Sequence, residues 1–171
     1  MGHVNIEIKA KCFNHDKIRE ILKSRNADFR GIDHQIDTYF EVNFGRLKLR
    51  EGKIENHLIY YDRENKADPK QSNVILFNSD PNSSLKEILT KSLGILVIVE
   101  KEREIYFIDN VKFHLDNVKN LGSFVEIEAI DENGTIGKKK LLKQCNSFLN
   151  LFKISQNDLI SVSYSELLLE R

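Results

Sequence analysis

The feature that most constrains this chain is a two-residue alternation of charged and apolar side chains in several separate stretches. In an extended strand, residues i, i+2 and i+4 share a face. Ile6, Ile8 and Ala10 therefore point one way, and Glu7, Lys9 and Lys11 the other. Likewise Arg46, Lys48 and Arg50 oppose Leu47 and Leu49, Lys101 and Arg103 oppose Glu100 and Glu102, and Glu126 and Glu128 oppose Val125 and Ile127. An antiparallel sheet with one face in water also alternates. Here, however, the polar face is almost purely ionic, and like charges repeat at i, i+2. Stacked like charges repel unless an oppositely charged ligand or ion sits among them. Basic strands beside an acidic pair suit a polyanion together with a divalent metal. Lysine and arginine would hold phosphoryl oxygens, and glutamates would offer oxygen ligands to Mg²⁺ or Mn²⁺.

The 171 residues fit a single domain spanning 1–171. Periodicity predicts strands over 4–12, 35–42, 46–51, 57–63, 73–78, 96–107, 111–117 and 123–131. A helix over 15–26 carries Ile18, Ile21 and Leu22 on one side, with Asn14 as N-cap, and a helix over 83–93 ends at Gly94. Residues 134–152 read as an amphipathic helix with Leu141, Leu142, Cys145, Phe148 and Leu149 inward. A short helix near 155–160 and a tail over 164–169 follow. Asp68 to Ser72 reads as a loop, so Lys70 and Ser72 are expected at a cavity mouth or in a solvated turn. The fold class is α+β, about eight strands with helices packed outside them.

Lysine plus arginine number 26, as do aspartate plus glutamate. That balance argues against a broad basic face for a nucleic acid polymer and against a polybasic membrane anchor. Cys12 and Cys145 have neither zinc-ligand spacing nor a disulfide framework around them. No apolar run approaches the roughly 20 residues of a membrane span, and the N-terminus lacks a secretory pattern, so a cytoplasmic protein is expected.

The run Asn5-Ile6-Glu7-Ile8-Lys9-Ala10-Lys11 resembles the ExExK signature of the CYTH superfamily, the triphosphate tunnel metalloenzymes. Asp37-Thr38-Tyr39-Phe40, Gly45 to Glu51, Tyr60-Tyr61-Asp62-Arg63, Pro69-Lys70-Gln71-Ser72, Glu100 to Arg103, His114-Leu115-Asp116, Leu121 to Glu128 and Ser163-Tyr164-Ser165 continue the likeness in order. The set is most similar to the branch called class IV adenylate cyclases. The resemblance implies an eight-stranded antiparallel closed β-barrel with flanking helices and with triphosphate and metal in the lumen. It implies conversion of ATP to cyclic AMP and pyrophosphate, with hydrolysis of inorganic or thiamine triphosphate as the alternative and a non-catalytic nucleotide or polyphosphate binder as a second. A homodimer is compatible with it.

Carried over by position, the resemblance makes Lys9, Arg50, Arg63, Lys101 and Arg103 catalytic and triphosphate-binding. Lys11, Arg46 and Lys48 extend the phosphate-binding set because they share strand faces with these residues. Glu7, Glu126, Glu128 and Asp116 become metal ligands, with Mg²⁺ or Mn²⁺ as cofactor. One departure stands out. With Lys9 as the signature lysine, Asn5 occupies the place of the first glutamate. Shifting the frame would instead put Lys9 in the middle glutamate's place. The first alignment is preferred, because an amide carbonyl is still an oxygen ligand whereas lysine repels a metal. His114 reads as structural, since no second histidine stands at ligand spacing. Tyr39, Tyr60 and Tyr61 read as packing residues that could also touch a base or ribose.

Overall fold

The computed structural model describes residues 2–171. Its eight strands are β1 (Gly2–Lys11), β2 (Asp28–Phe40), β3 (Arg46–Glu51), β4 (His57–Arg63), β5 (Lys70–Asn78), β6 (Ile95–Ile108), β7 (Val111–Val118) and β8 (Gly122–Asp131). They close into an antiparallel barrel in the order β1-β5-β4-β3-β2-β6-β7-β8. The helices are α1 (His15–Ser24), α2 (Leu85–Leu93), α3 (Lys138–Leu151) and α4 (Tyr164–Leu169), with a single 3-10 turn at Gln156–Asp158. The α+β closed barrel expected from the sequence is the fold.

The main apolar core lies outside the barrel. Ile6, Ile8 and Ala10 of β1, Val111, Phe113 and Leu115 of β7, and Val125, Ile127 and Ala129 of β8 alternate with residues that face the lumen. They pack under Ile18 and Leu22 of α1 and Leu141, Cys145 and Leu149 of α3. Burial of this layer supplies the driving force that an ionic lumen cannot. Asn14 caps α1 as expected, its side chain accepting from the Lys17 amide at 3.1 Å.

Several boundaries differ from the expectation. The second strand begins at Asp28 rather than 35, since the alternation of Asp33 and Gln35 with exposed neighbours continues its ladder along β6. The last long helix starts at Lys138 rather than 134. The Asp131 carboxylate accepts from the amides of Thr135, Ile136 and Gly137 at 3.0–3.1 Å and holds them in a turn. Leu142, assigned to the inner face of that helix, is exposed. Lys70 and Ser72 are not in a loop. Both belong to β5 and are almost fully buried.

Not every helix is outside. The α4 capping box of Ser163 and Glu166 sets a short helix whose Tyr164 and Ser165 are buried. Tyr164, with Leu167 and Leu168 beside it, joins Tyr39, Tyr61, Val99, Val118 and Phe124 in a second apolar cluster. Tyr39 lies at the end of β2, Val118 at the end of β7 and Phe124 at the start of β8, all at one end of an antiparallel barrel. The C-terminal helix therefore packs over that end.

The two walls should respond differently to truncation. Ile127→Ala, in the fully buried layer under α3, should cost about 2–5 kcal/mol. Ile75→Ser on the outer face of β5, where Ile75 is about half exposed, should stay within about 0.5 kcal/mol. Urea unfolding of both variants checks the contrast.

Candidate active site

One cavity runs through the barrel and is lined by inward residues of all eight strands and by Ser163 and Tyr164 at the α4 end. Seven basic side chains (Lys9, Lys48, Arg50, Arg63, Lys101, Arg103 and Lys112) and five carboxylates (Glu7, Asp37, Glu55, Glu126 and Glu128) line it. The ionic face read from the strands is thus the inside of a closed barrel. The excess of cations leaves the lumen attractive to an anion.

Asp37 organises the largest cationic group. Its carboxylate accepts from Arg50 Nε and Nη2 at 2.8 and 2.9 Å and from Lys101 Nζ at 2.8 Å, with Lys48 Nζ at 3.1 Å. Burial alone would raise the Asp37 pKa, but Arg50, Lys101 and Lys48 together hold it well below the usual carboxylate range. Lys101 is pulled well below the ordinary lysine value, first by burial and then by Arg50 and Arg103, against the attraction of Asp37. A second group is centred on Asp116, which accepts from Arg103 Nε at 2.7 Å and Nη2 at 2.6 Å and from the Tyr164 hydroxyl at 2.8 Å. Glu7 pairs with Arg63 Nη1 at 2.8 Å. Lys9 Nζ lies 3.8 Å from Glu126 and 3.9 Å from the Tyr164 ring centre, a cation–π contact.

Glu55 enters from the loop between β3 and β4. It accepts from Arg50 at 2.9 Å and Gln35 at 3.1 Å, and it pairs with Lys112. The loop is held by Asp33, fully buried on β2, whose carboxylate accepts from the Lys53, Ile54 and Glu55 amides at 2.7–3.1 Å. Only glycine fits at position 52, where a Cβ would stand 2.4 Å from Asp33 Oδ2.

The acidic side of the lumen is formed by β1, β8 and β7. Glu7 lies opposite Glu128 in the β1–β8 ladder, and His114 opposite Glu126 in the β7–β8 ladder. One ligand atom each from His114, Glu126 and Glu128 lies within 4.8 Å of the other two. Asn5 Oδ1 and both ring nitrogens of His114 are buried without a hydrogen-bond partner among the described residues. Buried polar atoms are ordinarily paired, so these orphans and the adjoining carboxylates fit a divalent cation. Burial, then Glu126 and Glu7, push the Glu128 carboxyl up to about 8. Burial, then Arg103, bring His114 down to about 3, which leaves a neutral imidazole at neutral pH.

Lys9, Lys48, Arg50, Arg63, Lys101, Arg103, Glu7, Glu126 and Glu128 are brought together in the one cavity. Three other assignments change. Lys11, the last residue of β1 and still paired with Phe124 of β8, is exposed and outside the cavity lining. Arg46 is also outside the lining; it binds Glu166 at 3.1 Å and Asn65 at 2.8 Å, and so docks α4. Asp116 has both oxygens engaged by Arg103 and Tyr164, so it positions Arg103 and is not among the clustered metal-ligand candidates. Tyr39 and Tyr61 line the cavity, whereas Tyr60 does not. Lys70 donates to the carbonyls of Lys66, Ile160 and Ser161 at 3.0–3.3 Å, tying the C-terminal segment to the barrel.

Sequence reasoning did not single out Asp37, Glu55, Lys112 or the ligand potential of His114. The alternation of Lys112, His114 and Asp116 along β7 carried a usable signal for two of them. Glu55 had none, since only the fold of its loop turns it inward.

The raised Glu128 pKa has a definite consequence for stability. The folded metal-free chain holds a proton there that the unfolded chain releases at lower pH. This contribution is full below about pH 4.5 and is lost as pH rises through about 8. In chelator, Glu128→Gln should therefore lose less stability than the parent between pH 5 and 8.5, which urea midpoints at several pH values would reveal.

The chain matches the CYTH domain family over residues 3–164. It is 27% identical over 174 residues to MJ0240 of Methanocaldococcus jannaschii, which carries a provisional adenylate cyclase name, covering 96% of this chain and 98% of that protein. The structure of PH1012 from Pyrococcus horikoshii OT3 superposes with a TM-score of 0.75 at 26% identity, over 95% of this chain and 98% of that one. HpAC1 from Hippeastrum, a provisionally named adenylyl cyclase described as having a dominant triphosphatase activity, shares the fold at a TM-score of 0.63 and 13% identity, over 98% and 94% of the two chains. A family match across nearly the whole chain coincides with a closed eight-stranded barrel charged on its inside, and the chain therefore belongs to the CYTH family of triphosphate tunnel proteins.

Proposed function

We propose that this chain is a metal-dependent enzyme acting on a triphosphate, and that its reaction is conversion of ATP to cyclic AMP and pyrophosphate. The observation that carries the reading is the enclosure of Lys9, Arg50, Arg63, Lys101 and Arg103 in one lumen beside the acidic cluster of β8. In the internal pairs a carboxylate engages lysine or arginine with the same kind of contact that a phosphate oxygen would make. A triphosphate entering the lumen exchanges some of these contacts for charge-assisted hydrogen bonds of the same kind. Arg103 and Arg50, held bidentately by Asp116 and Asp37, are pre-oriented for this.

In the proposed reaction the ribose 3′ oxygen attacks the α-phosphorus and pyrophosphate leaves. Arg63, Lys101 and Arg103 stabilise the charge that builds on the leaving group. A divalent cation held by Glu126 and Glu128, with Glu7 alongside, would neutralise phosphate oxygens and lower the pKa of the attacking hydroxyl. Ile59, Val74, Leu76 and Ile130 give the cavity an apolar stretch, of which Ile59 and Val74 belong to the cluster that Tyr164 joins. That stretch offers a nucleoside a surface that bare tripolyphosphate would not use, and it favours the cyclase over hydrolysis of inorganic triphosphate. The activity described for HpAC1 keeps hydrolysis as the second reading, in which water attacks the terminal phosphorus in the same cradle.

Product analysis decides between them. The pure chain is incubated with ATP, tripolyphosphate or thiamine triphosphate, each with Mg²⁺ or Mn²⁺, and separated by chromatography. Cyclic AMP and pyrophosphate from ATP are expected. Release of orthophosphate without cyclic AMP would replace the cyclase by a triphosphatase. Intact substrates despite metal-dependent binding would make the chain a binding module.

Glu55 supplies an independent check on the polyanion reading. Its carboxylate competes with a ligand for Arg50 and Lys112. At an effective dielectric constant near 20, removing a like charge at close range should tighten tripolyphosphate binding about tenfold or more. Calorimetry of Glu55→Gln with tripolyphosphate measures this, and weaker or unchanged binding would mean that no phosphate reaches that wall.

A further inference from the structure

We propose that His114 is a direct ligand of the divalent cation and that, with Glu126 and Glu128, it forms a mixed nitrogen–oxygen site preferring first-row transition ions such as Mn²⁺ to Mg²⁺. The inference rests on the reading that the tunnel works with a metal, and it concerns which metal this chain selects.

His114 is 1% exposed, yet neither of its ring nitrogens has a hydrogen-bond partner among the described residues. Its approach to Glu126, Nδ1 to Oε2 at 3.8 Å, is too long for a hydrogen bond. A histidine buried for packing alone ordinarily pairs at least one nitrogen with a carbonyl or carboxylate. The imidazole instead faces the lumen from β7, on the face shared by Lys112 and Asp116, with Glu126 across the ladder. One ligand atom each from His114, Glu126 and Glu128 falls within a 4.8 Å spread. Ligands bound at about 2.1 Å to one ion lie no more than about 4 Å apart, so a small side-chain contraction completes the site.

The rest of the lumen makes nitrogen ligation more telling. On β1, Asn5 supplies a neutral oxygen where a carboxylate would add charge, and Glu7 is paired with Arg63. Asp116 is occupied by Arg103 and Tyr164. The site therefore has few free anionic oxygens and one free imidazole. Mg²⁺ demands a near-octahedral oxygen shell and dehydrates reluctantly. Imidazole raises affinity for transition ions, of which Mn²⁺ is the weakest binder and a convenient paramagnetic probe.

The test uses the full chain stripped with chelator and loaded with Mn²⁺ alone, then with Mn²⁺ plus tripolyphosphate. Pulsed electron paramagnetic resonance reports nitrogen bound to Mn²⁺, and titration calorimetry gives the Mn²⁺ and Mg²⁺ affinities. We expect nitrogen coupling in the parent chain and its loss in His114→Gln. The variant's Mn²⁺ affinity should fall roughly 10- to 100-fold while Mg²⁺ changes less than about threefold. Bound Mn²⁺ without nitrogen coupling in the parent would overturn the inference and leave the proposed function standing. Coupling that persists in His114→Gln would overturn it too, by assigning the nitrogen elsewhere. Mg²⁺ binding without Mn²⁺ binding would remove the inference alone, and absence of binding of either ion under both conditions would remove the inference and the metal-dependent reading together. Absence of coupling in the parent overturns the inference even if His114→Gln fails to fold, and His114→Asn is the second variant that assigns an observed nitrogen to His114 rather than to His3 or His57.

Discussion

The interaction on which the rest of the structure depends is the neutralisation of cations inside a closed barrel. Lys101 and Arg50 are almost completely withdrawn from water. Holding them there unpaired would cost several kcal/mol each, more than a small domain can spare. One carboxylate, Asp37, gathers Arg50, Lys101 and Lys48, and a second, Asp116, holds Arg103. These two aspartates keep the barrel foldable without a bound anion. They also hold the guanidinium planes in place, so that little ordering remains when an anion enters.

An ionic lumen displaces the apolar core to the outside. The outward residues of β1, β7 and β8 meet α1 and α3 there, and that layer carries the burial energy of the fold. The division has a functional consequence. The wall with helices behind it, β1, β7 and β8, also carries Glu7, His114, Glu126 and Glu128. The candidate metal ligands thus stand on strands braced from behind, whereas Glu55 comes from a loop stapled by Asp33. At the α4 end, Lys70, Arg46 and Tyr164 each tie the C-terminal segment to the barrel, so that segment shapes the cavity as well as covering it.

Membership of the CYTH family follows from the whole chain and the charged tunnel from its strands, whereas the proposed reaction rests on the particular residues that line the cavity. The two proposed reactions, cyclisation and hydrolysis, would draw on the same cations. They differ in what is positioned against the phosphate chain, a ribose oxygen or a water, and the apolar stretch of β4, β5 and β8 bears on that difference. Asn5 Oδ1 and the His114 imidazole, both buried without a hydrogen-bond partner among the described residues, give the candidate metal site neutral oxygen and nitrogen atoms beside its carboxylates.

The sequence by itself determined the faces. A two-residue period is a local property of extended chain, so the spacing alone assigns Lys9, Arg50, Lys101, Arg103, Glu7, Glu126 and Glu128 to the charged side of their strands, whereas Arg63 was legible only through the family resemblance. The family resemblance, a sequence-wide property, turned that side inward. Tertiary structure decided everything that depends on partners from distant strands. Asp116 lies on the same face as His114, and only the approach of Arg103 and Tyr164 made one a clamp and left the other without a hydrogen-bond partner among the described residues. Lys70 followed proline in what read as a loop, yet pairing with β1 and β4 drew it into a strand. Lys11 kept the alternation but ran past the end of the lumen, because periodicity sets direction and not depth. Glu55 had no local pattern at all; a buried aspartate 22 residues away turned it into the tunnel.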